Sequence, residues 1–314
     1  MTGATGFLGS VLCDVLSTNG YTVRAALRHD RPTPVCERAV VGDFGPTTEW
    51  ANALEGVECV IHAAARAHVL NDSPLNASLY DQTNAQGTRR LAEAAAQAGV
   101  RRMVYVSSIK VNGEQTFDRA FHEADAAHPQ DAYGRSKWLG EQHLLEVAAG
   151  SNLQAVIVRP PLVYGPGVRA NFLRLLQWVD RERPLPLGAV QNKRSLVSIW
   201  NLCSLLVHVL EHPAAVGRVW MVSDGEDLST PDLIRQIGRA MNRRVRLPPI
   251  PLGLLQVFAA LLGKRSEVTR LCGSLVVDAT PTREELAWSP PLNVSEGLAR
   301  TVSWYMRERR FHET

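Results

Sequence analysis

Met1-Thr2-Gly3-Ala4-Thr5-Gly6-Phe7-Leu8-Gly9 opens the chain, and its three glycines, with two residues between neighbours, decide how the rest is read. The turn runs into a helical pattern, Ser10 to Ser17, that stops at Asn19-Gly20. Glycines there let the backbone approach a pyrophosphate closely, and the helix start offers free N–H groups and a positive dipole end. Tyr21 to Leu27 then reads as a strand. Three spaced glycines alone are a weak signal; glycines, helix and strand in that order are a stronger one. One feature departs from the pattern. A buried strand belongs before Gly3, yet only Met1 and Thr2 stand there. The reading expects a missing N-terminal stub; the alternative is a lost central strand whose neighbours' ladder bonds go unmade.

Working outward, Val40 to Phe44 reads as a short strand ending in an acid, Asp43, that suits an adenine amino group or caps the helix near Glu49. Cys59 to Ala65 is an apolar strand running into small residues, Ala63, Ala64 and Ala65, over which a nucleotide can lie flat. His62 by itself reads as a packed core histidine. Asn84 precedes a helix, Thr88 to Ala98, closed by Gly99, and Arg102 to Val106 is a buried strand ending at Ser107-Ser108. Strand and helix alternate, which argues for a parallel sheet with helices on both faces and a ligand beyond the strands' carboxyl ends. Ser108 stands at such an end, where it hydrogen-bonds a substrate oxygen or merely caps a helix.

Tyr133-Gly134-Arg135-Ser136-Lys137 opens the next helix, which runs to about Ala149. Tyr133 and Lys137 then share one face, one turn apart. An ammonium at that distance favours the phenolate, whose unperturbed pKa is about 10, and makes the phenol a better proton donor or acceptor. Val156 to Pro161 is a further strand, stopped by proline. Beyond Val163-Tyr164-Gly165-Pro166-Gly167 the alternation loosens into a helix over Asn171–Val179, an extended Arg194–Ile199, a helix over Leu202–Leu210 and a strand over Val219–Ser223. Thr230-Pro231 then starts a helix. The tail reads as helical over Arg283–Trp288 and Leu298–Met306.

The 314 residues suffice for one large domain or two, with 45% hydrophobic and 21% charged residues. A net charge of +3 without a long basic tract excludes nucleic acid as the expected partner. Five scattered cysteines argue against a disulfide framework or a zinc site, so no metal is expected, and they fit a reducing cytoplasm. The apolar run Leu252 to Leu262, broken only by Gln256, is too short for a membrane span. It reads as a buried or partner-facing helix, with a membrane-surface contact as the other reading.

Thr2 to Gly9, Gly42-Asp43-Phe44, His62 to Ala65, Asn84, Ser107-Ser108, Tyr133-x-x-x-Lys137 and Arg159 to Pro166 together resemble the extended short-chain dehydrogenase/reductases of the epimerase/dehydratase type. The resemblance runs nearly end to end. It implies an α/β fold: a Rossmann-like doubly wound parallel sheet over residues 1–165, with 192–224 returning to it. Residues 166–191 and 225–314 form a smaller mixed C-terminal substrate lobe. Tyr133 is the implied acid/base, with Lys137 lowering its pKa and holding the nicotinamide ribose, and Ser108 positioning the reacting oxygen. The implied cofactor contacts are Gly3, Thr5, Gly6, Phe7, Leu8, Gly9, Arg28, Asp43, Phe44, Ala63 to Ala65, Asn84 and Pro160, besides Tyr133 and Lys137. Arg28 comes first off the second strand and suits a 2′-phosphate, so NADP(H) is expected and NAD(H), served by Asp30, is the alternative.

Members of this family commonly act on nucleotide-linked hexoses, so a UDP-linked sugar is expected, held by Ser108, Asn171 and Arg194. Leu162 replaces an asparagine that UDP-galactose 4-epimerases carry. Gly273 to Asp278 and Glu285 to Pro291 look similar to 4-keto-reductases of O-antigen sugar synthesis. Reduction of a C4 ketone on a UDP-linked 2-acetamido-2,6-dideoxy-hexulose is therefore the leading expectation, with a UDP-hexose 4-epimerase as its rival. A non-catalytic NADP-binding sensor or assembly subunit and a dihydroflavonol- or steroid-type dehydrogenase rank lower. Dimerisation through the helices beginning near Thr88 and Tyr133 is common among such proteins.

Overall fold

A computed structural model of the chain describes residues 1–33, 35–67, 74–261 and 265–313. Eight strands are present among the described residues: β1 (Arg24–Leu27), β2 (Glu37–Val40), β3 (Cys59–His62), β4 (Arg102–Val106), β5 (Gln154–Arg159), β6 (Leu162–Tyr164), β7 (Leu196–Ser198) and β8 (Val219–Met221). Every pairing among them is parallel. β1 pairs with β2, and β3, β4, β5 and β8 follow one another in a second ladder. Thr2 joins the two ladders by bridging Ala26 on one side and His62 on the other. The central place that the sequence left nearly empty is thus held by Met1 and Thr2. The Thr2 amide donates to the Ile61 carbonyl at 3.0 Å, and Ala26 donates to the Met1 carbonyl at 2.8 Å.

The inner strands are aliphatic on both faces, as a sheet covered from both sides demands. Met103, Val104 and Tyr105 in β4 and Val156 to Val158 in β5 are fully buried. α1 (Phe7–Thr18) lies on one face, and α2 (Ala51–Leu54), α3 (Pro74–Tyr80), α4 (Gly87–Gln97) and α5 (Ala132–Ala149) follow before the chain reaches α6 (Ala170–Asp180) and α7 (Ile199–Glu211). Leu12 and Leu16 of α1 pack with Leu202, Leu205 and Leu206 of α7 in one core layer. Leu91 and Ala95 of α4 meet Leu144 of α5 in the other. Each buried leucine contributes about 1.5–3 kcal/mol relative to an exposed one. The segment 192–224 enters this body through α7 and through β8 beside β5.

The second lobe contains α8 (Thr230–Met241), α9 (Leu252–Leu261), α10 (Arg265–Cys272), α11 (Thr280–Glu285) and α12 (Val294–Glu313). Phe172 and Leu176 of α6, Ile234 and Ile237 of α8 and Leu298 and Val302 of α12 form its core. β6 and β7 pair with each other in a two-stranded sheet of their own. α8 begins under a Ser229 cap, whose hydroxyl accepts from the Asp232 amide, with Pro231 in the first turn.

The strand expected over Val40–Phe44 lies earlier, at Glu37–Val40. Val41 makes one more ladder bond, to Leu27, and Gly42 at φ +74° then turns the chain away, leaving Asp43 in a loop. The end of the apolar run, Leu262, falls outside the described residues. Among the described residues no helix is long and apolar enough to cross a membrane.

Candidate active site

A cleft of about 420 Å³ opens at the carboxyl ends of β1 and β3, beside Thr2, lined by Gly3, Gly6, Arg28, Phe44 and Ala63 to Ala65 among others. Strand order reverses here, β1 and β2 running outward on one side of Thr2 and β3, β4, β5 and β8 on the other, which is where such sheets take ligands. Gly6 is the N-cap of α1 and supplies no side-chain cap, so the helix start keeps donors for an anion. A Cβ on Gly9 would stand 2.0 Å from the Gly3 carbonyl oxygen, and one on Gly3, at φ +71°, would stand 2.8 Å from the backbone of Ala63 and Ala64. Gly6 is different. Its Cβ would meet only the Gly3 oxygen, at 3.1 Å, on an exposed face of the turn. Two glycines therefore serve packing and the third leaves room for a ligand, the arrangement a dinucleotide pyrophosphate requires. Thr5 is exposed on the same turn, while Phe7 and Leu8 are half-buried in the first turn of α1.

Arg28, His29 and Arg31 line the end of the cleft beyond β1. Arg28 pairs with Asp43 at 2.7 Å, and Asp30 pairs with Arg38 at 2.6 Å. Asp30 is absent from the lining, Phe44 belongs to it, and Phe44 leans on Trp50 with ring centroids 5.3 Å apart.

The floor is organised by polar contacts that spacing did not suggest. His62 is buried between the Thr2 hydroxyl, 2.6 Å from Nδ1, and the Thr88 hydroxyl, 3.0 Å from Nε2. Burial and the nearby Lys137 charge push its pKa down to about 3, so the ring is neutral. Asn84 sits in a π-helical turn, Asp81–Gln86. Its amide oxygen accepts from the Arg66 amide at 2.8 Å, and its nitrogen donates to the Arg66 carbonyl and the Ser136 hydroxyl, each at 3.0 Å. Asn84 thus holds the loop after β3 against α5. Arg66, whose backbone is fixed in this way, lines the cleft, and its buried Nε has no partner among the described residues. A guanidinium so placed suits a phosphate. Its position directly after the alanine run was the available sequence signal.

On the far side, Ser108 stands where β4 ends, and its hydroxyl acts on the Tyr133 phenol at the start of α5, favouring the ionised form. Asp131 caps that helix by accepting from the Gly134 amide at 2.7 Å, and it pairs with Lys110. Tyr80 meets the Tyr133 ring edge-on at 6.0 Å. Lys137 lies one turn on, fully buried, its ammonium 4.0 Å from the Tyr105 ring centroid. Beneath it Glu141 accepts from Ser107 at 2.5 Å and from Arg159 Nε at 2.9 Å, and Arg159 also donates to Asn112 at 2.9 Å.

One expectation is corrected. Lys137 was expected to hold the Tyr133 phenol below its ordinary value, yet burial, helped by the Asp131 charge, pushes it up to about 12 against the partial pull of Ser108. Burial also pushes Lys137 itself down to about 7, against the upward pull of Glu141. Spacing gave the correct helical face but carried no account of desolvation.

Arg194 donates to the carbonyls of Arg270, at 2.5 Å, and Gly273, at 3.1 Å, and burial lowers its pKa. Arg270 in turn meets Glu114 at 3.6 Å, and Glu114 accepts from Lys110 at 2.9 Å. Asn171 is exposed in the first turn of α6, and Pro160 is buried, its carbonyl accepting from the Ile109 amide at 3.0 Å.

Residues 1–223 match the model of the NAD dependent epimerase/dehydratase family. A UDP-glucose 4-epimerase of Vibrio cholerae is 41% identical over 98% of this chain and 95% of its own length. An N-acetyl-alpha-D-glucosaminyl-diphospho-ditrans,octacis-undecaprenol 4-epimerase of Escherichia coli O157:H7 is 28% identical over 96% of this chain and 93% of its own. Among solved structures, MoeE5 in complex with UDP-glucose and NAD superposes with a TM-score of 0.77, at 25% identity and 98% coverage of both chains. With a glycine turn shaped for a pyrophosphate and Ser108, Tyr133 and Lys137 gathered beyond β4, the chain belongs to the NAD dependent epimerase/dehydratase family, whose members are NAD(P)-dependent enzymes.

Proposed function

We propose that the chain is a UDP-hexose 4-epimerase, interconverting UDP-glucose-type sugars and their C4 epimers. The observation that carries this reading is the 41% identity, over nearly the whole chain, to a UDP-glucose 4-epimerase. It is supported by a solved relative holding UDP-glucose beside NAD. The rival, reduction of a C4 ketone, shares every residue of the site and rests on the second-lobe sequence.

A nicotinamide dinucleotide bound in the cleft supplies the hydride acceptor and donor. Tyr133 takes the proton of the C4 hydroxyl and returns it once the keto sugar has turned over, and Ser108 holds that oxygen through both half-steps. Burial makes the neutral phenol the resting form, so deprotonation needs a cation close by. Lys137, on the same helical face, is placed to supply it. Arg194 is the group offered to the diphosphate of UDP, with Asn171 at the rim. For the cofactor we favour NADP(H), because Arg28 and Arg31 line the ribose end while Asp30 faces Arg38. A cytoplasmic location and a homodimer through α4 and α5 complete the reading.

The test is conversion of UDP-glucose and UDP-N-acetylglucosamine followed by NMR, with cofactor absorbance recorded in parallel. Interconversion without net cofactor consumption is expected, and Tyr133→Phe should slow it by ~10²–10⁴-fold while keeping the cofactor-induced thermal shift. Stoichiometric NADPH oxidation with a 4-keto sugar, and no interconversion, would reassign the chain as the reductase.

A further inference from the structure

Eight large apolar side chains are exposed among the described residues, and four of them, Leu252, Leu254, Val257 and Leu271, lie on α9 and α10. They are 41, 53, 58 and 37% exposed. On α9 only Leu255 is anchored in the second core among the residues whose burial is described. Leu252, Gly253, Leu254, Val257 and Ala260 are exposed, as is Gln256, the one polar residue in the sequence of α9. A surface helix of a globular protein ordinarily shows the reverse, an apolar inner stripe and a polar outer face. An exposed apolar patch of this kind marks an interaction site.

The charge around it selects the partner. Between residues 243 and 270 the sequence carries six basic residues (Arg243, Arg244, Arg246, Lys264, Arg265 and Arg270) against one acid, Glu267, in a chain whose whole net charge is +3; Arg243 is paired with Asp180 and Arg270 with Glu114. Arg244 and Arg246 are exposed just ahead of the helix. Two copies meeting through this face would bring the exposed Arg244 and Arg246 of each toward their own counterparts, which opposes self-association. An exposed apolar helix led in by two exposed arginines matches the acyl boundary and headgroups of an anionic bilayer. Ten residues of helix, about 15 Å, lie in that interface rather than cross it.

We propose that α9 seats the protein on an anionic lipid surface, with its apolar outer face in the acyl boundary and Arg244 and Arg246 at the headgroups. The seat adjoins the sugar side of the site, since Arg270 of α10 meets Glu114, and Glu114 meets the Lys110 that holds the cap of α5. None of this depends on which sugar reaction the chain performs.

The test is co-sedimentation of the full chain with vesicles of phosphatidylcholine alone and of phosphatidylcholine with phosphatidylglycerol. Binding to the anionic vesicles only is expected, weakened by salt. Leu254→Glu/Val257→Glu and Arg244→Ala/Arg246→Ala should each reduce it by ~10-fold or more, with NADP-induced thermal stabilisation unchanged as the check on folding. No binding at low salt, or binding that Leu254→Glu/Val257→Glu leaves intact, overturns the proposal. So does a wild-type dimer, without vesicle binding, that this variant converts to monomer, since the face would then belong to a second copy.

Discussion

Arg28 and Asp43, which face each other across the end of the cleft, are joined by an ion pair of 2.7 Å although their side chains are 60 and 84% exposed. Such a pair contributes only about 0–1 kcal/mol to stability, so its main effect is on what the guanidinium can offer a ligand. Asp43→Asn should leave the melting temperature nearly unchanged and raise affinity for NADP relative to NAD by several-fold. Arg28→Ala should lower that ratio by ~10-fold, the loss of a guanidinium–phosphate contact. Isothermal titration with both cofactors measures each change. A ratio untouched by Arg28→Ala would remove the basis for NADP preference.

The three glycines separate packing from binding. Gly9→Ala forces a methyl against the Gly3 oxygen and should destabilise the protein by ~1–3 kcal/mol, the ordinary penalty of overpacking. Gly6→Ala meets far less and should melt close to wild type, yet lose most cofactor affinity because its methyl occupies the pyrophosphate's place. Denaturant unfolding set beside cofactor titration distinguishes the two outcomes.

Lys137 gives a pH dependence of definite sign. Its folded value of about 7 lies below its ordinary 10.5. Between these values the unfolded chain holds a proton that the folded chain has released, so this group's destabilising effect is full below about pH 7 and fades as pH rises toward 10.5. Lys137→Met removes the effect. Its stability advantage over wild type should be largest at and below neutral pH and shrink on the alkaline side. A constant difference between the two unfolding curves from pH 6 to 10 would mean that Lys137 is not desolvated.

The buried Glu141–Arg159 pair fixes the end of β4 through Ser107. Glu141→Gln leaves the Arg159 guanidinium buried with a neutral partner, and removing one member of a buried pair costs about 3–5 kcal/mol. Glu141→Leu/Arg159→Met should be less destabilising than Glu141→Gln in urea unfolding. Both variants should lower turnover, because Ser108 follows Ser107 in the chain. Unaltered turnover would separate the pair from the positioning of Ser108.

Much of this was legible in the sequence, for identifiable reasons. Gly3 and Gly9 announce a turn because close approach excludes every other residue there, and the aliphatic runs of β4 and β5 announce strands because both faces are buried. Tyr133 and Lys137 are found by helical spacing. What escaped depends on contacts distant in sequence or on desolvation. β2 is an edge strand with little apolar patterning, so it was placed several residues late. Arg194 is held by carbonyls more than seventy residues away. The protonation of Tyr133 and Lys137 is set by burial that no spacing rule contains.

Asn84 links two events that are usually treated apart. Because one amide grips both the backbone of Arg66 in the cleft and the hydroxyl of Ser136, next to Lys137, any displacement of that loop is passed to the helix that carries Tyr133. The fit of a dinucleotide and the placement of the proposed acid/base thus hang on one shared peg.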